Sequence, residues 1–130
     1  MKSKTSSAEY ISISHLSKKF DKDFVLKDVN AVLNKGEILG FLGPSGAGKT
    51  TTIKILTGQL RPTSGDAEVL GINCRKIDEL IYEQIGIVTD SSGVYERMSV
   101  YDNLRYFARL LNAPIADIDP LLKRIGLYEH

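Results

Sequence analysis

The chain has no tryptophan, one cysteine and four prolines in 130 residues. A lone Cys74 excludes an intrachain disulfide, offers no partner for a cysteine-based metal site, and points to a reducing compartment. Charge of neither sign dominates. The 17 basic and 16 acidic residues give a formal net charge of +1, with both signs interspersed and no basic run longer than two residues. Chains that bind nucleic acid through its phosphates carry a basic patch or stripe, so no nucleic-acid partner is expected. Long apolar runs are missing as well. Nothing approaches the roughly 20 residues that cross a bilayer. Residues 1–8 (MKSKTSSA) carry two lysines without the apolar stretch of a signal peptide and read as a flexible tail. What remains, residues 9–130, is expected to be a cytoplasmic globular domain, and its 42% hydrophobic content is enough for a core.

The stretch that organises the chain is GPSGAGKT at residues 43–50. It fits G-x-x-x-x-G-K-[S/T], the phosphate-binding loop. Gly43, Gly46 and Gly48 have no Cβ, so the backbone can take positive φ and turn its N–H groups toward an anion, with Pro44, Ser45 and Ala47 completing the loop. The helix that begins there contributes unpaired N–H groups and the positive end of its dipole, reaching through Thr51. Lys49 is the loop's cation, suited to the β- and γ-phosphates, and the Thr50 hydroxyl is a hard oxygen suited to Mg²⁺. The loop requires a strand before it and a helix after it. ILGFL at 38–42 is an apolar run of the kind that forms a strand buried on both faces, and Ile53, Leu56 and Leu60 follow at helical spacing.

In chain order, residues 9–16 alternate apolar and polar, with Ile11 and Ile13 on one face, as a half-buried strand does. A turn at Asp21, Lys22 and Asp23 leads to a second β run over 24–33. An antiparallel layer therefore precedes a parallel βα unit, an α/β arrangement. Phe20 closes the first segment. Its ring could stack on a base, or be an ordinary turn or core aromatic. After the loop helix, RPTSG at 61–65 is a turn, residues 66–73 read as a hairpin around Gly71, and residues 78–84 as a short helix at best. IGIV at 85–88 is a second candidate for a buried parallel strand. Ser99 and Asp102 make a capping-box-like pair opening a helix whose stripe is Val100, Leu104, Phe107, Ala108 and Leu111, stopped by Asn112-Ala113-Pro114. A last helix is expected with Asp119 as cap and Pro120 at its first position, packing through Leu121, Leu122 and Ile125 and ending at Gly126.

Three blocks, LSKKFDKDFVLKDVN, KGEILGFLGPSGAGKTTTIKILTGQLRPTSGDAEVLG and IGIVTDSSGVYERMSVYDNLRYFARL, together resemble the N-terminal part of the nucleotide-binding domain of an ATP-binding cassette (ABC) transporter ATPase. The resemblance implies a P-loop NTPase-like parallel sheet with flanking helices beside an N-terminal antiparallel β layer, incomplete relative to the full domain, with residues 99–130 opening a helical subdomain. It also implies ATP and Mg²⁺ as ligands, Phe20 as the adenine-stacking aromatic, residues 43–51 on the phosphates, a membrane-spanning partner subunit, and a second nucleotide-binding domain in a dimer at the inner face of the membrane. A non-transport cassette protein acting on DNA or ribosomes is the competing member, and the absence of basic patches argues against it.

Two departures from the family pattern stand out. Asp90, in VTDSSG, falls where the family has a glutamine that contacts Mg²⁺ and the attacking water. A carboxylate binds Mg²⁺ but repels a nearby γ-phosphate, and the alternative is a loop aspartate capping its own turn. The family's apolar strand ending in Asp-Glu, its L-S-G-G-Q-type signature and its switch histidine have no counterpart in these residues. Asp78-Glu79 is preceded by Arg75-Lys76 and not by an apolar strand, Ser92-Gly93 lacks the signature's second glycine, and His15 and His130 lie at unsuitable places. The expectation is a chain that binds nucleotide and by itself does not hydrolyse it.

Overall fold

In the computed structural model, residues 9–88 and 93–129 are described. They form two compact units, the first running to Gln84 and the second starting at Ile85.

The first unit is built on an antiparallel sheet with strand order β2-β1-β3-β4: β1 Glu9–Phe20, β2 Asp23–Asn34, β3 Ser64–Val69 and β4 Ile72–Asn73. The expected hairpins are present, and their turns fall at Asp21-Lys22 and Leu70-Gly71. Alternation along β1 puts Ile13 into the core, and the irregularity between Ile13 and Leu16 resets the period so that Leu16 is buried as well, with Leu26 from β2 and Ala67 and Val69 from β3. Helix α1, Lys49–Leu56, packs on β2 and β3 and delivers Ile55 and Leu56 to the same core, with Leu16 and Ile55 fully buried. Gly65 lets β3 approach a bulge in β1: its φ is +76°, and a Cβ there would stand 2.1 Å from the His15 carbonyl oxygen. Beyond β4 come a 3₁₀ turn, Cys74–Lys76, and a one-turn helix α2, Glu79–Tyr82, capped by Asp78 accepting from Leu80 N. The Tyr82 hydroxyl donates to Thr57 O at 2.6 Å and so ties α2 to the end of α1.

The two candidate parallel strands do not form among the described residues. Residues 38–42 and 85–88 have no strand partners, and Ile38, Leu42 and Val88 are 99%, 97% and 94% exposed. An apolar, β-branched run has the composition of a central strand, but a strand exists only as part of a ladder, and parallel strands are stable when flanked on both edges and covered on both faces. The fold is thus an α/β arrangement whose formed sheet is the antiparallel one, open and partial.

In the second unit, α3 spans Val100–Leu110 with Ser99 as cap: Ser99 Oγ accepts from Asp102 N at 3.0 Å and donates to the Asp102 carboxylate at 2.8 Å. The buried side chain of α3 is Asn103; of the apolar stripe, Leu104, Phe107 and Ala108 are half-buried and the ends Val100 and Leu111 are exposed. Asn103 Oδ1 accepts from Tyr95 N, and its amide donates to the carbonyls of Tyr95, Met98 and Ser99, fastening the preceding segment to the helix. A 3₁₀ turn, Ile115–Asp117, runs directly into α4, Ile118–Ile125, which packs on α3 and ends at Gly126 in the left-handed conformation. That turn moves the start of α4 ahead of Asp119, so Pro120 sits third, still within the first turn where no N–H is needed. The helix buries Ile118 and Leu122, while Leu121 and Ile125 are exposed.

Candidate functional site

Residues 45–51 and Val25 line an open cleft of about 360 Å³ in the first unit. The loop that makes it is held from three sides. Gly46 and Gly48 both have positive φ, at +82° and +85°, and Gly48 is the N-cap of α1. Gly48 also lies against β2: a Cβ there would stand 2.4 Å from Leu26 Cδ2 and 2.8 Å from Val25 O. Within the loop, Ala47 N donates to Pro44 O at 3.2 Å. The Lys49 ammonium donates to Gly43 O at 2.6 Å and Pro44 O at 2.7 Å, which closes the loop on itself and keeps the cation at the cleft.

Helix geometry supplies the other donors. The first i→i−4 bond runs from Thr52 N to Gly48 O at 2.8 Å, so the N–H groups of Lys49, Thr50 and Thr51 precede the ladder, in residues that line the cleft. Thr52 is turned the other way: it is buried, and its hydroxyl donates to Gly48 O at 3.0 Å. Thr50 is exposed and lines the cleft, and no carboxylate does so among the described residues. The arrangement can take an anion: a cradle of backbone donors at a helix N-terminus with one lysine beside it. Nucleotide phosphates fit it, because at Gly46 the space a side chain would fill is left open and, among the described residues, the only charge lining it is positive.

Of the residues expected to act here, Ser45 to Thr51 line the cleft, and Gly43 and Pro44 contribute the carbonyls that hold Lys49. Phe20 ends β1 opposite Asp23 and is 45% exposed; it is not among the residues lining the cleft. Asp90 lies outside the described residues, as does His130. Among the described residues no group of three or more His, Cys, Asp or Glu side chains could hold a metal ion. Val25 is an apolar member of the second β run whose place at the cleft its spacing does not show. Lys18 faces Leu26 and Lys19 faces Phe24, so Val25 is the extra residue of a bulge, and a bulge re-aims a side chain in a way that a two-residue period cannot show.

Other polar groups belong to the frame. Asp66 is held below the usual carboxylate range by hydrogen bonds from Asn73 and Arg75, and Arg75 also donates to Gly65 O. Burial pushes the Cys74 thiol up, which makes it a packing residue and not a nucleophile.

Residues 26–130 match the family model described as ABC transporter. The chain belongs to the ABC transporter family. It is 43% identical over 101 residues to ABC transporter A family member 9 of Dictyostelium discoideum, an alignment covering 75% of this chain and 12% of that protein. It is 34% identical over 117 residues to the lantibiotic transport ATP-binding protein SrtF of Streptococcus pyogenes, covering 90% of this chain and 50% of that one. Among solved structures, the ATP-binding subunit of an ABC transporter superimposes with a TM-score of 0.78 at 27% identity, over 93% of this chain and 52% of that chain. The chain therefore spans between 12% and 52% of the length of these relatives. It corresponds to the N-terminal part of the ATP-binding domain. Among the described residues no helix is long and apolar enough to cross a membrane.

Proposed function

We propose that this chain is the nucleotide-binding portion of a transporter's ATP-binding subunit, taking ATP with Mg²⁺ and working at the cytoplasmic face beneath a membrane-spanning partner. The observation that carries this reading is the cradle at residues 45–51, with Lys49 fixed at its mouth by two carbonyls. In it, the backbone donors and Lys49 hold the phosphates, Thr50 offers a hydroxyl to the metal, and Asp90 is a second oxygen donor two residues beyond Val88. Phe20 stacks on the base. When bound, Mg²⁺ supplies positive charge to the phosphate oxygens, and the chain's own residues position them. Residues 9–130 make up the first part of the domain, with 99–130 opening its helical subdomain, and residues 1–8 are a tail.

A second reading, nucleotide binding without turnover, applies to these 130 residues taken alone, and the lack of a carboxylate among the described cleft residues favours it. Hydrolysis then needs groups from the rest of the domain and from a second nucleotide-binding domain across a dimer. Titration with ATP and ADP tests both readings. Lys49→Ala removes a charge-assisted contact worth about 1.5–3 kcal/mol, so affinity should fall roughly ten- to a hundred-fold. Unchanged curves would remove the loop from the account. Mg²⁺-dependent phosphate release should stay at the level of the Lys49→Ala control, and robust release would reveal a catalytic group within these residues.

A further inference from the structure

The base end of the proposed site is braced by a residue that no motif marks. Lys18 and Phe20 are two apart on β1 and so share a face. The Lys18 ammonium lies 4.9 Å from the centroid of the Phe20 ring and donates to Arg61 O at 2.9 Å. Two more bonds tie the same turn to the same stretch of β1: Lys19 N donates to Thr63 Oγ1 at 3.0 Å, and Thr63 N donates to Ser17 O at 2.9 Å. Residues 61–63 follow α1 closely in the chain, so this brace connects the strand end that bears the ring to the turn leading away from the phosphate-binding helix.

We propose that Lys18 is a positioning residue for adenine recognition: anchored by the Arg61 carbonyl, its ammonium covers one face of the Phe20 ring and leaves the opposite face for the base. The proposal rests on the reading of Phe20 as the stacking aromatic. A half-exposed ring at a hairpin end has rotamers to lose on binding, and a cation held on one face removes part of that cost beforehand. Because the cation is itself fixed to a backbone carbonyl, the ring is oriented against the polypeptide that follows α1. A lysine pointing freely into solvent would supply charge without orientation.

The test compares ATP with inorganic tripolyphosphate, which has the phosphates and no base. Both are titrated against the unaltered protein, Lys18→Ala, Lys18→Arg, Phe20→Ala and the double variant carrying both alanines. Phe20→Ala should weaken ATP roughly five- to a hundred-fold and leave tripolyphosphate unchanged. Lys18→Ala should weaken ATP about two- to five-fold, again without effect on tripolyphosphate. Lys18→Arg, which keeps a cation and a donor, should restore ATP binding, and the double variant should be no weaker than Phe20→Ala alone. If Lys18→Ala weakens both ligands alike, or its effect persists undiminished without the ring, Lys18 does not act through Phe20 and the proposal falls while stacking stands. If Phe20→Ala leaves ATP binding unchanged, stacking and the Lys18 proposal fall together.

Discussion

The phosphate loop shows how much a single missing side chain can determine. Gly46 and Gly48 have nearly the same φ, +82° and +85°, but a Cβ on Gly46 meets open space whereas one on Gly48 runs into Leu26 and the Val25 carbonyl. The two positions therefore separate conformational cost from steric cost. Gly46→Ala should cost about 1–2 kcal/mol, the penalty of left-handed backbone for a residue with a Cβ. Gly48→Ala adds a collision with β2 that only movement of the loop or the strand can relieve, so it should destabilise the fold more and also weaken nucleotide binding. Denaturant unfolding together with ATP titration of both variants checks this; equal losses at the two positions would mean that contact with β2 does not shape the loop. The loop sequence makes its glycines legible as a class. It does not show which of them touches a neighbour, because Val25 and Leu26 lie two dozen residues upstream and meet the loop only through a bulge.

At the scale of elements, local signals proved readable and dependent ones did not. The hairpins around Asp21-Lys22 and Leu70-Gly71 are legible because turn chemistry and alternation are properties of a few adjacent residues. The Ser99 cap and the Gly126 stop are legible for the same reason. The strand at 38–42 is different: its composition is right, but its hydrogen bonds must come from other strands, and the described residues provide none. The face of α3 is legible in part: apolar spacing finds the half-buried Leu104, Phe107 and Ala108 but gives no weight to Asn103, which is buried by what it bonds and not by what it repels. Asn103→Ala should therefore destabilise the second unit by about 1–3 kcal/mol, the range for leaving buried polar partners unsatisfied. The amide of Tyr95, now donating to Asn103 at 2.8 Å, should lose hydrogen-exchange protection before the rest of α3. Protection unchanged at Tyr95 would show that the segment is held by other contacts, for example the rings of Tyr95, Tyr106 and Phe107 that pack on one another at 5.2–6.2 Å.

For the whole molecule, the open question is what covers the apolar run before the loop. Ile38 and Leu42 are almost wholly exposed, yet the residues between them are as apolar as any buried strand. Fully burying one such side chain is worth about 1.5–3 kcal/mol, so a polypeptide that leaves two of them in water has a strong incentive to find cover. An uncharged extended run is also a template for strand pairing with another chain. The antiparallel sheet does not have the same problem, because β1 is paired on both edges and α1 covers part of it. A polypeptide of these 130 residues is accordingly expected to self-associate as its concentration rises, two copies burying residues 38–42 against each other in a two-fold arrangement. Placing charge on the run, as Ile38→Lys with Leu42→Lys, should suppress that association while leaving the Gly48–Leu26 contact and the core of β1 intact, since neither substituted side chain is buried. Sedimentation across a concentration series measures it. A single monomeric species at high concentration, unfolding in one sharp transition, would show that residues 38–42 find their cover within the same molecule.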